Sequence, residues 1–206
     1  MNTTLLATIN SLSIEQISNE RKEVLQPLIA YLQQQTDIQE TIRLNFICTH
    51  NSRRSHLSQI WAQTMAYHFS IKNVYCFSGG TEATAMYTKV AETLRNQGFE
   101  ITALSDSTNP VYAVKYAANE MPIVCFSKAY NHSFNPQNSF AAIMTCNNAN
   151  EACPVVIGAN ARFPIKYTDP KIADNTPQQT AVYAERSIQI AQEMMYVFSQ
   201  IKTNKP

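Results

Sequence analysis

The sequence has no marked excess of charge of either sign. Its 206 residues include 16 basic and 15 acidic side chains, which gives a formal net charge of +1. A chain without a broad basic surface is a poor candidate for binding nucleic acid or an anionic membrane, so neither partner is predicted. Attraction for an anionic ligand must therefore come from a local arrangement of residues.

Long apolar runs and metal-binding motifs are absent too. No apolar stretch reaches the roughly 18–20 residues that a membrane-spanning helix needs, and the N-terminus lacks the basic start of a signal peptide. We therefore expect a cytoplasmic protein, in which thiols stay reduced and the five cysteines serve chemistry or core filling before disulfides. Without a Cys-x-x-Cys or paired histidines, neither a metal site nor a bound cofactor is predicted.

Apolar periodicity predicts an α/β fold. Short apolar runs predict buried strands over 43–48, 73–78 and 141–145, and helical spacing predicts helices from Arg54, over 86–97 and from Thr176. This alternation favours a three-layer, Rossmann-like fold, with a largely parallel sheet and helices on both faces. Residues 1–40 are predicted as a helical extension of a main domain over 41–206, and Pro27 is expected to divide or kink the helix there.

The segment after the first strand combines a cysteine, a polar loop and an arginine. Cys48 ends the predicted strand, residues 49–53 form the loop, and Arg54 opens a helix. A loop in front of a helix N-terminus points successive amide N–H groups at one spot, which suits a tetrahedral oxyanion such as phosphate or arsenate. The same field favours the thiolate of Cys48, and the planar guanidinium of Arg54 can hold two oxyanion oxygens.

Neighbouring residues receive narrower roles. The predicted oxyanion-binding residues are Thr49, His50, Asn51, Ser52, Arg53, Arg54 and Ser55. Within this loop, Ser55 can hydrogen-bond the thiolate and Asn51 can hold the loop's shape. The side chains of His50, Arg53 and His56 are expected to be solvated, and Cys76 and Cys125 to fill the core.

This segment resembles the active-site loop of the low-molecular-weight protein tyrosine phosphatases and of the thioredoxin-coupled arsenate reductases that share their fold. Their loop reads Cys-x-Gly-Asn-x-Cys-Arg-Ser, and this chain matches it at Cys48, Asn51, Arg54 and Ser55. His50 replaces the family's glycine and is expected to take the left-handed backbone conformation that histidine tolerates better than most residues. An arginine at position 53 replaces the family's second cysteine.

The resemblance covers about residues 43–201 and implies the fold of these families. It fails over residues 1–40 and about 108–139, and the second of these looks like an insertion with strands over 111–117 and 122–127 that form an extra hairpin. Some relatives bind potassium beside the loop. Gln59 stands where an acidic ligand would be expected, so this metal is not predicted.

Cys146 and Cys153 lie seven positions apart in an Asn-rich stretch that ends at Pro154. On a helix they would share a face at about 10 Å, which exceeds the ~7 Å limit between the Cα atoms of a disulfide. Taken alone, they read as incidental thiols. The resemblance implies instead the redox segment of the arsenate reductases, in which an apolar strand leads into two cysteines at this spacing, the second followed by proline.

A proton donor is needed when hydroxide or an alkoxide leaves a reacting oxyanion. Asp169, which precedes Pro170, resembles the Asp-Pro that carries the general acid in both related families. Asp174, five residues later, is the second candidate.

The resemblance thus implies reduction of arsenate to arsenite, with Cys48 as nucleophile, Asp169 as acid, and Cys146 and Cys153 as a disulfide relay that thioredoxin reduces. The alternative is a phosphatase that hydrolyses phosphotyrosine proteins or small phosphoesters without the two later cysteines. A third hypothesis is a non-catalytic module that binds an oxyanion or a protein, against which the intact nucleophile, arginine and acid argue.

Overall fold

A parallel sheet of four strands forms the centre of the protein. The computed structural model describes residues 1–152 and 155–203. Its strands are β1 (Ile42–Cys48), β2 (Val74–Gly80), β3 (Glu100–Ala103), β4 (Tyr112–Lys115), β5 (Ile123–Cys125), β6 (Phe140–Met144) and β7 (Ala159–Phe163). The central sheet has the order β2-β1-β6-β7, with every neighbouring pair parallel. The predicted fold class is confirmed, although the apolar pattern of the sequence does not predict β7.

Helices cover this sheet. They are α1 (Thr3–Asn10), α2 (Asn19–Asp37), α3 (Arg54–His68), α4 (Thr88–Asn96), α5 (Asn147–Ala152) and α6 (Gln179–Ser199), with 3-10 turns at Ile14–Gln16 and Pro170–Ala173. α6 begins three residues after the predicted start at Thr176. The reason is a preceding turn, in which the amide of Gln179 donates to the carbonyl of Thr176 at 3.1 Å.

Successive side chains of a strand point to opposite faces of the sheet. Both faces are buried here, because residues of β1 lie in two different apolar clusters. Leu44 and Phe46 of β1 belong to the main apolar cluster, which also holds residues of α1, α2, α3, α4 and α6. Ile47 and Cys48 belong to a smaller cluster with residues of β6 and α5. The last residue of β1 therefore lies beside the segment that follows β6.

The N-terminal extension packs into the main cluster. α2 is a single helix with Pro27 inside it, so of the two predicted alternatives, a divided helix or a kink, the divided helix is wrong. Proline in a helix costs about 3 kcal/mol. Burial of the helix's apolar face outweighs that cost, since Leu25 and Leu28 are fully buried and Leu32 is nearly so.

A second, antiparallel sheet of order β3-β4-β5 contains the predicted hairpin. The hairpin is β4–β5, and β3 extends it from the segment after α4. β3 carries mostly exposed side chains, so no buried apolar pattern marks it in the sequence.

Glutamine side chains of α3 cover the free edge of β2. Gln63 Nε2 donates to the carbonyl of Val74 at 3.0 Å, and its Oε1 accepts from the amide of Cys76 at 2.9 Å. Gln59 Nε2 donates to the carbonyl of Cys76 at 3.0 Å. These amides replace a neighbouring strand and shield an edge that could pair with another chain. Among the described helices, none is both long and apolar enough to span a membrane.

Candidate active site

The loop after β1 lies at the point where the strand order of the central sheet reverses. The chain leaves β1 for α3 and β2 on one side and later returns to β6 on the other side. Ligands of open α/β sheets bind at such switch points, beyond the carboxyl ends of the strands. Cys48 is the last residue of β1, and Arg54 is the first residue of α3.

The carbonyl groups of this loop are engaged, whereas its amides are free. Carbonyl oxygens accept hydrogen bonds as follows: Cys48 from the amide of Thr81 (3.1 Å), Thr49 from the amide of Glu82 (2.9 Å), His50 from Ser127 Oγ (2.8 Å) and Ser52 from the amide of Tyr87 (3.0 Å). Within residues 1–152 and 155–203, no amide of residues 49–53 donates to another group. These N–H groups, together with the N-terminus of α3, can bind a tetrahedral oxyanion.

Gly80 is needed for the close approach of β2 to this loop. It pairs with Cys48 in the register of the two strands. A Cβ atom at this position would lie 2.6 Å from Thr49 O and 2.7 Å from Asn51 N. Both distances are well below van der Waals contact, so any side chain would displace the loop.

The thiol of Cys48 lies within a buried hydrogen-bond network. Its Sγ is 3.1 Å from Ser55 Oγ, which accepts from Asn51 Nδ2 at 2.9 Å. Ser55 can therefore donate its hydroxyl proton to a thiolate. Asn51 Oδ1 accepts from the amide of Lys128 at 3.0 Å, which ties the loop to the segment behind it. Asn51 has φ +45°, so the residue in the left-handed conformation is Asn51 and the expectation for His50 is wrong.

Arg54 is held between a carbonyl group and a carboxylate. Its Nη1 donates to Tyr167 O at 3.0 Å, and its Nη2 donates to Asp169 Oδ2 at 2.5 Å. These contacts bring Asp169 beside the oxyanion loop, although the two residues are 115 positions apart. The Asp169 side chain stays 34% exposed, so a substrate oxygen can reach it.

The Arg53 side chain is only 12% exposed and is paired with Asp174, so the prediction of a solvated side chain is wrong. Its Nε donates to Tyr183 OH at 2.6 Å, its Nη2 donates to Asp174 Oδ2 at 2.5 Å, and its guanidinium carbon lies 4.2 Å from the ring centre of Tyr87. Asp174 and Tyr183 are 121 and 130 positions further along the chain. No local sequence signal indicates these contacts.

Asp174 has the environment of a permanently charged carboxylate. Burial acts to raise its pKa, but hydrogen bonds from Tyr183 and Gln179, together with the charge of Arg53, lower the pKa below its usual value. Such a group carries no proton to donate near neutral pH. Asp169 lines the same cleft as Arg54 and Asp174 does not, so the geometry favours Asp169 of the two candidate acids.

Two histidines near the loop differ in burial. His50 is 42% exposed, as predicted, and its Nδ1 lies 3.6 Å from Glu82 Oε2. His56 is fully buried, so the prediction that it is exposed is wrong. Its Nδ1 lies 3.2 Å from Ser78 Oγ of β2. Burial, assisted by the charge of Lys128, lowers the pKa of His56 to about 3, so the ring is neutral.

Cys146 lies next to the nucleophile loop because β1 and β6 are neighbours. The amide and the hydroxyl of Thr145 both donate to Ile47 O, at 2.7 and 2.9 Å. Just beyond the ends of the two strands, Cys146 Sγ is 3.5 Å from Thr49 Oγ1. The thiol is 2% exposed and accepts a hydrogen bond from the amide of Ala149 at 3.3 Å.

The segment after Cys146 forms α5, which is held at Asn150. Arg162 Nη2 donates to Asn150 O at 2.6 Å and to Asn150 Oδ1 at 2.7 Å. Cys153, the second cysteine of the predicted pair, lies outside the described residues. Cys76 and Cys125 are buried, and burial raises the pKa of both thiols, that of Cys125 to about 12, as expected of core residues.

A polar cleft of about 500 Å³ opens at the site. It is lined by Arg54, Cys146, Asn147, Asn148, Lys166, Tyr167, Thr168 and Asp169. The arginine, the second cysteine and the candidate acid thus face one space. Tyr167 is the one aromatic residue of this lining, and it is only 5% exposed, so the walls are polar.

Comparison with known proteins shows the class of fold. No family model matches the chain, and neither does any curated protein. A low-molecular-weight phosphotyrosine phosphatase from Vibrio cholerae O395 is 11% identical with a TM-score of 0.52, over 77% of this chain and 94% of its own. A mutant of YwlE from Bacillus subtilis is 12% identical with a TM-score of 0.53, over 78% of this chain and 98% of its own. An arsenate reductase in its phosphate-binding state is a weaker match, 13% identical with a TM-score of 0.46, over 79% of this chain and 100% of its own.

The protein therefore has the low-molecular-weight phosphatase fold. The resemblance noted in the sequence is confirmed at the level of the fold.

Proposed function

We propose that this protein is a cysteine-dependent enzyme that reduces arsenate to arsenite. The observation that carries the proposal is the position of Cys146. Its thiol lies 3.5 Å from the side chain of Thr49, the residue after the nucleophile, and it faces the same cleft as Arg54 and Asp169. A second buried thiol at this point has no part in phosphate ester hydrolysis, whereas a reductase needs one.

The first step joins arsenic to sulfur. Arsenate binds to the free amides of residues 49–53 and to Arg54, which stabilise its negative charge. The thiolate of Cys48 attacks arsenic, one As–O bond breaks, and Asp169 protonates the departing oxygen so that water leaves. The product is an arsenic(V) ester of Cys48.

The second step transfers the electrons. Cys146 attacks Cys48 Sγ, an S–S bond forms, and the electron pair of the S–As bond reduces arsenic(V) to arsenic(III), which leaves as arsenite. Cys153 then attacks Cys146 and moves the disulfide outward, where a thioredoxin reduces it.

The polar walls of the cleft also support a small, hydrophilic substrate. A phosphotyrosine ring gains affinity by burying apolar surface, but this cleft offers asparagine, lysine and threonine side chains. Arsenate needs only hydrogen-bond donors and positive charge, and it finds both here.

Phosphatase activity is the second candidate function. It is favoured by the fold, since the phosphatase from Vibrio cholerae matches with a TM-score of 0.52 and the YwlE arginine phosphatase matches with 0.53. Hydrolysis would use Cys48, Arg54 and Asp169 and neither later cysteine.

The deciding experiment measures both activities on the same protein. Arsenate-dependent oxidation of NADPH, coupled through thioredoxin and its reductase, is run beside hydrolysis of a chromogenic aryl phosphate. Cys153→Ser should release about one arsenite per enzyme and then stall with a Cys48–Cys146 linkage in the mass spectrum, and Cys146→Ser should release none. Cys125→Ser is the matched control, because this buried thiol lies outside the cleft and should leave turnover unchanged. Efficient aryl phosphate turnover without arsenate-dependent oxidation would show that the reductase proposal is wrong.

A further inference from the structure

We propose that Arg21, in the N-terminal extension, positions the acid-bearing loop of the site through the ring of Tyr167, a role that rests on the oxyanion chemistry proposed above. Arg21 belongs to α2, which lies outside the resemblance to the phosphatases and arsenate reductases. In this role, the N-terminal extension helps to position Arg54, the arginine that binds the oxyanion in the proposed function.

Arg21 is fixed by a paired contact with α6. Its Nε donates to Glu193 Oε1 at 2.8 Å, and its Nη2 donates to Glu193 Oε2 at 2.7 Å. The carboxylate is only 2% exposed and also accepts from Gln189 Nε2 at 3.1 Å. A bidentate pair of this kind sets the plane of the guanidinium as well as its position.

The guanidinium also lies over Tyr167. Its carbon is 5.0 Å from the centre of the tyrosine ring, which is 5% exposed. Burial, together with the nearby Glu193, raises the pKa of Tyr167 far above its usual value, so the ring stays neutral. A cation over a neutral ring is attracted to it, more strongly when water is excluded.

The backbone of Tyr167 touches the site directly. Its amide donates to Thr145 O at 3.1 Å, and its carbonyl accepts from Arg54 Nη1 at 3.0 Å. Asp169, two residues later, accepts from Arg54 Nη2. Displacement of the Tyr167 ring therefore moves a carbonyl that orients Arg54 and the start of the segment that carries Asp169. Shifts of about 1 Å in such groups can cost about 100-fold in rate.

A purely structural role for Arg21, as a link between α2 and α6, makes a different prediction. It predicts a loss of stability with an unchanged site in those molecules that remain folded. Leu25→Ala provides the matched control, because Leu25 is fully buried in the same helix and its truncation weakens α2 by loss of packing alone. Lys22→Gln is the charge control, since Lys22 lies 5.7 Å from the ring of Tyr196 on the same helix.

The test uses the full chain and measures oxyanion binding apart from turnover. The rate at which iodoacetamide alkylates Cys48 is measured at increasing concentrations of inorganic phosphate or arsenate. A bound oxyanion protects the thiol and slows this rate. All measurements are made well below the unfolding temperature of each variant. Arg21→Gln should raise the oxyanion concentration that gives half-maximal protection by about 3- to 30-fold, which is the range expected for loss of a partly desolvated cation–π contact. Leu25→Ala and Lys22→Gln should stay within about twofold of the parent.

Variants of Tyr167 approach the same contact from the other side. Tyr167→Phe keeps the ring, so it should lose less affinity for phosphate than Tyr167→Leu. Tyr167→Leu removes the ring but leaves the Arg21–Glu193 pair, so it remains informative even if Arg21→Gln does not fold. If the two residues act together, the double variant Arg21→Gln/Tyr167→Leu should bind phosphate about as tightly as the weaker-binding single variant.

The outcomes separate the inference from the proposed function. A parent protein that neither oxyanion protects would refute the oxyanion chemistry and the role of Arg21 with it. Equal protection of the parent and Arg21→Gln would refute the role of Arg21 alone. A Leu25→Ala variant that loses as much affinity for phosphate as Arg21→Gln would also refute the role of Arg21.

Discussion

Replacement of Arg53 by methionine should destabilise the protein more than any surface charge change. Arg53 is 12% exposed and pairs with Asp174, which is 14% exposed. It also donates to Tyr183 and lies over the ring of Tyr87. Methionine fills a similar volume but leaves the Asp174 carboxylate without its cation.

The size of the effect follows from these contacts. Removal of one partner of a buried ion pair costs about 3–5 kcal/mol. This pair is partly exposed, and Asp174 keeps hydrogen bonds from Tyr183 and Gln179, so the expected loss is smaller, about 2–4 kcal/mol. In a protein of this length that loss lowers the unfolding temperature by about 4–16 °C.

The assay is thermal unfolding at neutral pH, with Lys89→Met as the matched control. Lys89 pairs with Glu92, which is 54% exposed, so this variant should lose less than about 1 kcal/mol. Because the pKa of Asp174 is lowered, its stabilising effect is present above its unfolded pKa of about 4 and is lost as the pH falls further. The difference in unfolding temperature between the parent and Arg53→Met should therefore become smaller at about pH 3. An Arg53→Met variant that unfolds at the same temperature as the parent would refute a stabilising role for the contact between Arg53 and Asp174.

Three further predictions concern chemistry and pH. Asp169→Asn should lower turnover by about two to four orders of magnitude if Asp169 donates the proton, whereas Asp174→Asn should act mainly on the unfolding temperature; the reverse pattern would move the acid to Asp174. Arg54→Lys should lose most activity and oxyanion affinity, measured by the alkylation protection assay, because an ammonium group cannot replace the planar fork that binds Tyr167 O and Asp169 together. His56 has a pKa of about 3 when folded and about 6.5 when unfolded, so the unfolded chain binds the extra proton and stability falls as the pH drops between these values. Urea midpoints from pH 7 to 4 should show this slope, and His56→Asn should flatten it.

Elements with a strong apolar pattern could be predicted from the sequence. β1 and α3 begin and end within a residue or two of their predicted bounds wherever a bound was stated, because β1 is a continuous buried run and α3 has a helical apolar face. β3 and β7 could not be predicted in this way. Their side chains are mostly exposed or half-buried, so neither leaves an apolar signal, and both exist because a neighbouring strand supplies hydrogen bonds.

Pro27 marks a limit of local reasoning of another kind. The residue alone predicts a helix that is divided or kinked, since proline removes one hydrogen bond. In the folded protein, buried leucines on both sides of the proline hold α2 as one helix. Tertiary packing outweighs local propensity at this position.

What the sequence determined by itself was the loop between β1 and α3, because a buried apolar run, a polar segment and a helical pattern follow one another within a few residues. This context, rather than the spacing alone, marks Cys48 and Arg54 as candidate site residues. Only the tertiary structure decided the partners of that loop. Asp169 and Cys146 reach it because β6 lies beside β1 and because Tyr167 binds Arg54 through its carbonyl. The burial of Arg53 and the contact of Arg21 with Tyr167 join residues more than 100 positions apart. Side-chain spacing can encode a local turn, but contacts between distant segments depend on how the elements pack.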